Sequence, residues 1–375
     1  MTLSESESER ATPAVADAFT IRRTAAPLPE AERAAALAAP RFGTVFTDHM
    51  ARVTWTAGDG WHDRRVEPYG PLLLDPAAAV LHYAQEIFEG LKAYRHEDGS
   101  VWTFRPWANA ARFTASAQRI ALPVLPEEDF LGAITAVVRE DRAWVPSGEE
   151  MSLYLRPFMY ASERFLGVRP SLEAEFIVIA SPVGPYFAGG VHPVSIWVAQ
   201  DYHRAGAGGT GAAKFGGNYA GSLLPQQVAH AKGFDQVCFL DAATNTTLEE
   251  LGGMNVFVVE ASGRVSTPEL TGSILEGVTR SSILRLLSEA GHEVAERRIT
   301  LAEVQAGLAD GQVAEVFACG TAAVVTPIGR LAGEGFDLTV GDGGSGPVTT
   351  RIRTQLTDIQ YGRAADPHGW MHRLL

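Results

Sequence analysis

GAGGTGAAKFGGNYAG, residues 206–221, places Lys214 among small residues that leave room for a bulky group beside its amine. The rest of the chain makes that lysine conspicuous. Lys92, Lys214 and Lys232 are the only lysines among 31 basic residues, so 31 − 3 = 28 are arginines. The two cations differ chemically, because only an amine deprotonates near neutrality and condenses with a carbonyl. Lys232 sits beside a glycine at the expected end of a helix, where a cation meets the negative end of the dipole. Lys92, in EGLKAYR, reads as an ordinary strand or turn cation. An exposed loop lysine would look the same as Lys214 locally, so other residues must decide.

The segment also contains Gly206, Gly208 and Gly211 in G-x-G-x-x-G spacing. That fingerprint binds dinucleotides when it follows a buried strand and opens a helix. Here DYHRA precedes it and further glycines, Gly216 and Gly217, follow, so the context fails. A nucleotide-dependent dehydrogenase or a non-catalytic phosphate-binding module is the competing class.

Other stretches suit a phosphorylated carbonyl cofactor. EGVTR at 276–280 offers Gly277, Val278 and Thr279 as the opening of a helix, and CGTAA at 319–323 offers a Gly-Thr turn at a strand end. Both resemble places where backbone N–H groups collect an anion. Arg112, in a helical segment, could add a charge-assisted bond. Pyridoxal phosphate further needs an anion beside its ring nitrogen. In LEELGGMN at 248–255, Glu249 and Glu250 are neighbours on a strand, so only one can face a cofactor.

The chain has 375 residues, long enough for two domains, and 44 acidic against 31 basic residues, a net charge of −13. That balance argues against nucleic acid and anionic membrane as partners. Two cysteines, Cys238 and Cys319, are too few for a disulfide framework or a four-cysteine zinc site, so no metal is expected and a reducing cytoplasm fits. Residues 1–40 read as a partly flexible arm. Strand-like runs and two helical stretches, about 107–119 and 127–142, give a small N-terminal α/β domain over 41–185. Gly- and Pro-rich sequence at 186–208 reads as an interdomain connection, and 209–375 as a larger strand-rich domain. The fold class expected is α+β.

Ordered motifs then give the chain a family likeness. FTDHM (46–50), LHYAQEIFEGLKAYR (81–95), FRPWANAARF (104–113), LYLRPFMYA (153–161), KFGGNYA (214–220), LEELGGMN, EGVTR, LTDIQYGR (356–363) and HGWM (368–371) together resemble the branched-chain amino acid aminotransferases of the fold-type IV pyridoxal-phosphate class. The resemblance runs from about Arg41 to Leu375 and implies a second domain built as a strand-rich pseudo-barrel. It implies pyridoxal 5′-phosphate as cofactor, a cytoplasmic homodimer, and transfer of the amino group of L-leucine, L-isoleucine or L-valine to 2-oxoglutarate.

Residue by residue, it implies Lys214 as the covalent and proton-shuttling lysine, Tyr219 at the cofactor's phenolic oxygen and Glu250 at its ring nitrogen. Arg112, Gly277, Val278, Thr279 and Thr321 match the phosphate cup, and Arg204 matches another arginine near the cofactor. Tyr83, Phe88, Tyr154 and Tyr186 match the substrate walls, Arg156 the arginine for a side-chain carboxylate, and Thr321 and Ala322 further substrate contacts. Two departures stand out. Ala323 to Thr326 replace a redox CxxC of animal members, and Gly253 replaces a threonine. D-amino acid aminotransferases and aminodeoxychorismate lyases share the fold and cofactor and stay open as alternatives.

Overall fold

The computed structural model describes residues 14–184 and 191–375. The chain divides into two units, Met1–Tyr186 with Asp358–Leu375, and Phe187–Thr357. Each mixes helices with one nine-stranded sheet, an α+β architecture.

The first sheet is built around the long antiparallel pair Ser152–Ala161 and Glu173–Val183. His49–Thr56 and Gly60–Pro68 extend it on one side, and Leu91–Arg95 and Val101–Phe104 on the other. The helices Pro106–Arg119 and Glu127–Glu140 supply apolar faces for its core. Glu127, Glu128 and Asp129 fill the first turn of the second helix, where negative charge is favoured. Phe130, Ile134 and Val137 then recur at helical spacing and are buried. Phe113, Phe130 and Phe176 meet with ring centroids 5.4–6.0 Å apart, joining both helices to the sheet.

Two boundaries differ from the sequence reading. Within the supposed N-terminal arm, Phe19 is buried in the core, and Thr20–Ile21 pairs with Gly60–Pro68. One apolar anchor and main-chain pairing hold a segment whose composition looks unstructured. At the other end, Met371–Arg373 pairs antiparallel with Val101–Phe104, so it belongs to the first sheet and not to the 209–375 domain. Leu374, almost fully buried, adds an apolar reason.

The second sheet runs in the order Leu248–Leu251, Gln236–Leu240, Val194–Ala199, Val324–Gly333, Val313–Gly320, Asn255–Glu260, Val265–Pro268 and Val294–Arg297. Val194–Ala199 lies inside the stretch read as interdomain connection, yet it is third in that order and pairs on both edges. Its inward Val194, Ile196 and Val198 alternate as a strand requires, but six residues beside a proline give a faint signal. A helix over Leu223–Ala231 ends at Lys232, where the sequence places a helix end, and a separate short helix, Gly216–Ala220, precedes it. Val278–Glu289 begins directly after Gly277.

Candidate active site

Lys214 closes a loop that packs tightly on the backbone of residues 271–275. Ala212 N donates to Gly272 O at 3.0 Å. Gly211 comes so near that a Cβ there would lie 2.1 Å from Ser273 O, which explains a glycine at this position. The short helix Gly216–Ala220 then turns Tyr219 back, and Lys214 Nζ donates to its hydroxyl at 2.8 Å. The amine also stands 5.1 Å from the Tyr219 ring centroid.

Glu250 and Glu249 take different partners, as neighbours on a strand should. Arg204 Nη1 pairs with Glu250 Oε1 at 2.7 Å, and Leu275 N donates to the same oxygen at 2.9 Å. Burial pushes the Glu250 carboxyl up to about 7, against the opposing pull of Arg204, Leu275 and Lys214. Glu249 instead accepts a hydrogen bond from Ser273 Oγ. Burial raises its pKa too. Arg204 Nη1 also donates to Ser273 O at 3.1 Å, tying the carboxylate to the loop that supports Lys214.

The remaining candidates of this unit lie at the same end of the sheet. A Cβ built on Gly253 would be 3.7 Å from Tyr219 Cε1, and one on Gly320 would be 3.6 Å from Gly253 O. Thr321 and Ala322 follow in the turn between Val313–Gly320 and Val324–Gly333, both half-buried. Val324 ends that turn with φ +60°, a left-handed conformation costly for a β-branched residue. Arg353 Nη1 braces it by donating to Ala323 O and Val325 O at 3.1 and 3.0 Å. Gly277 is packed against Asn255, whose Oδ1 would lie 2.1 Å from an added Cβ. Asn255 Nδ2 holds Leu275 O at 3.0 Å, so the helix start carrying Val278 and Thr279 is linked to the loop below Glu250.

The first unit holds a separate group. Arg156 Nη2 donates to Tyr154 Oη at 3.0 Å, and its guanidinium lies over the Phe88 and Tyr154 rings at 4.8 and 5.3 Å. Arg112 donates through Nε and Nη2 to the two oxygens of Glu89, at 2.7 and 2.8 Å. Tyr83 is 40% exposed, and its hydroxyl donates to Leu166 O. Tyr186 lies outside the described residues. Among the described residues no His, Cys, Asp and Glu grouping could hold a metal ion.

Sequence reasoning missed several contributors. Glu89, fully buried in FEGLKAYR, also accepts from Asn109 Nδ2 at 2.8 Å and fixes Arg112. Ser273 and Leu275 secure the two glutamates through contacts between segments well separated in sequence. Asn218, inside KFGGNYA, sits among glycines in the sequence, yet its side chain is buried.

Known proteins share this arrangement of elements. The model of the family Amino-transferase class IV matches residues 86–331. The probable branched-chain-amino-acid aminotransferase of Streptomyces coelicolor is 57% identical over 94% of this chain and 98% of its own. The branched-chain-amino-acid aminotransferase of Mycolicibacterium smegmatis is 53% identical over 95% and 98%. The crystal structure of the T.th. branched-chain amino acid aminotransferase with pyridoxamine 5′-phosphate superposes with a TM-score of 0.72 at 29% identity, covering 87% of this chain and 99% of that one. With the family model spanning well over half of the sequence and close relatives matching nearly all of it, the chain belongs to the class IV aminotransferases.

Proposed function

We propose that the chain is a branched-chain amino-acid aminotransferase, moving the amino group of L-leucine, L-isoleucine or L-valine to 2-oxoglutarate with pyridoxal 5′-phosphate as cofactor. The observation that carries this is the Lys214–Tyr219 hydrogen bond beside the buried Arg204–Glu250 pair. The residues fit the cofactor. Arg204 and Leu275 both meet Glu250 at Oε1, and the side chain is 2% exposed. Such a carboxylate suits a protonated ring nitrogen, since buried charge needs a partner. The backbone N–H groups at Val278 and Thr279 open a helix whose dipole favours a phosphate. Gly277 and Thr321 would add contacts from the same unit, and Arg112 is assigned to the phosphate on the family resemblance alone.

Pyridoxal phosphate, when bound, supplies an electron sink that acidifies the α-carbon of an amino acid. Tyr219 holds Lys214 Nζ in one direction, so the amine is aimed rather than free to sweep. Lys214 Nζ takes the proton from the substrate α-carbon and passes it on. Arg204 favours the ionised form of Glu250 against burial, so that carboxylate can keep a ring-nitrogen proton in place.

A branched-chain aminotransferase must accept an aliphatic side chain in one half-reaction and a carboxylate in the other. Phe88 and Tyr154 offer apolar walls, and Arg156, stacked over both, offers the cation that glutamate requires. Tyr83, Tyr186 and Ala322 are assigned to the pocket on the family resemblance alone.

A homodimer belongs to this proposal. Leu73 is 100% exposed and Val168 88%, apolar side chains that a second copy would cover. A cytoplasmic location is also proposed, in keeping with the free buried thiols of Cys238 and Cys319. Among the described residues no helix is long and apolar enough to cross a membrane.

The test is an absorbance spectrum before and after L-leucine, then after 2-oxoglutarate. The reading expects a visible band that L-leucine removes and 2-oxoglutarate restores, and no such cycle in Lys214→Ala. A band that ignores L-leucine but answers D-amino acids would move the substrate elsewhere. A Lys214→Ala variant with normal turnover would end the assignment.

A further inference from the structure

Asn218 uses its side-chain amide to grip the loop that ends in Lys214. Nδ2 donates to Thr210 O at 2.8 Å and to Ala213 O at 3.0 Å, while Oδ1 accepts from Thr210 Oγ1 at 2.6 Å. Both donors and the carbonyl are thus engaged, so the amide has one orientation only. The residue is 5% exposed, which makes these bonds costly to lose. Ala213 is the residue before Lys214, and Tyr219 is the residue after Asn218. A single buried amide therefore fixes the backbone that leads into the amine, next to the hydroxyl that receives it.

From the outer side the same loop is held by the Ala212–Gly272 bond and by the close approach of Gly211 to Ser273. Arg204 Nη1 adds a bond to Gly211 O at 3.3 Å, and Asn218 is the side chain that holds the Thr210 and Ala213 carbonyls. We propose that Asn218 is a positioning residue for Lys214, acting through the carbonyls of Thr210 and Ala213 and touching neither substrate nor cofactor. The inference rests on the reading of Lys214 as the lysine that bonds to pyridoxal phosphate.

Asn218→Asp tests it at constant shape. A carboxylate keeps the acceptor for Thr210 Oγ1 but turns an acceptor toward two carbonyls; protonation returns one donor. The holoenzyme variant should lose between about 10- and 100-fold in kcat, the scale of a misplaced reacting group, with KM for L-leucine within about twofold. The deficit relative to wild type should narrow as pH falls, because the protonated acid recovers one bond. Formation of the hydride-reducible link between pyridoxal phosphate and Lys214, followed by mass spectrometry, should slow in parallel.

Thr210→Val removes only the hydroxyl that orients the amide, and it decides the matter if Asn218→Asp does not fold. It should lower kcat a few-fold while leaving KM nearly unchanged, with a modest drop in melting temperature from the unpaired Oδ1. Wild-type kcat in the variants that fold, a loss shared equally by KM, or, in Asn218→Asp, a deficit independent of pH would overturn the proposal. Absence of any link to Lys214 in the wild-type protein would instead overturn the reading of the lysine itself.

Discussion

Arg204 Nη1 and Glu250 Oε1 stand 2.7 Å apart with both side chains all but withdrawn from water. Removing one member of such a pair leaves the other charged and unsolvated. Arg204→Met should cost about 3–5 kcal/mol at pH 8. The loss should shrink at pH 5, where Glu250 is protonated in the variant. Urea titration of the cofactor-free protein at both pH values measures this; equal losses would mean the ion pair is not the cause.

The Glu250 carboxyl carries its own pH signature. Its folded value, about 7, lies above the ordinary 4.5, so the folded state binds the proton more tightly than the unfolded chain. The stability this contributes is fully present below pH 4.5 and is lost as pH rises through 7. Wild type should therefore lose on the order of 1 kcal/mol per pH unit relative to Glu250→Gln across that window, in the cofactor-free state. A difference that stays flat from pH 4.5 to 7 contradicts the assignment.

Glu89 should matter for stability and for cofactor retention. It is fully buried and takes two hydrogen bonds from Arg112 and one from Asn109. Glu89→Ala removes two charge-assisted bonds from the Arg112 guanidinium and the acceptor of Asn109, at a cost of about 1.5–3 kcal/mol. Pyridoxal phosphate should also bind more weakly, since Arg112 is no longer aimed. Unfolding curves and a cofactor titration check the two effects separately.

Two glycines of one loop should respond oppositely to alanine. At Gly211 the new methyl would meet Ser273 backbone atoms within 2.5 Å, and backbone cannot step aside. Gly211→Ala should cost about 1–3 kcal/mol and reduce turnover. At Gly206 the nearest atom is Ala242 Cβ at 3.8 Å, so Gly206→Ala should stay within about 0.5 kcal/mol of wild type. Equal behaviour of the pair would show that the close approach is not what selects Gly211.

Much of the site chemistry is legible in the spacing. A lone lysine five residues before a tyrosine, and strand alternation separating Glu250 from Glu249, both correspond to distinct contacts in the structure. What stays hidden depends on distance in sequence or on backbone detail. No local pattern ties Glu89 to Arg112, and Arg353 gives no hint that it braces Val324 in a left-handed turn. Val194–Ala199 escapes notice because a short strand beside proline resembles a connection, and Phe19 because one aromatic in a polar stretch does not look like a core.

The pairing of Met371–Arg373 with Val101–Phe104 also sets an order of assembly. The second unit is one unbroken stretch and is complete once Thr357 has been synthesised, whereas the first must wait for a strand encoded after all of it. During translation the edge at Val101–Phe104 is therefore open while an entire neighbouring unit is made, and unpaired edges invite pairing with the wrong chain. Loss of only the residues beyond Trp370 would damage the sheet that begins the chain and spare the unit that carries Lys214.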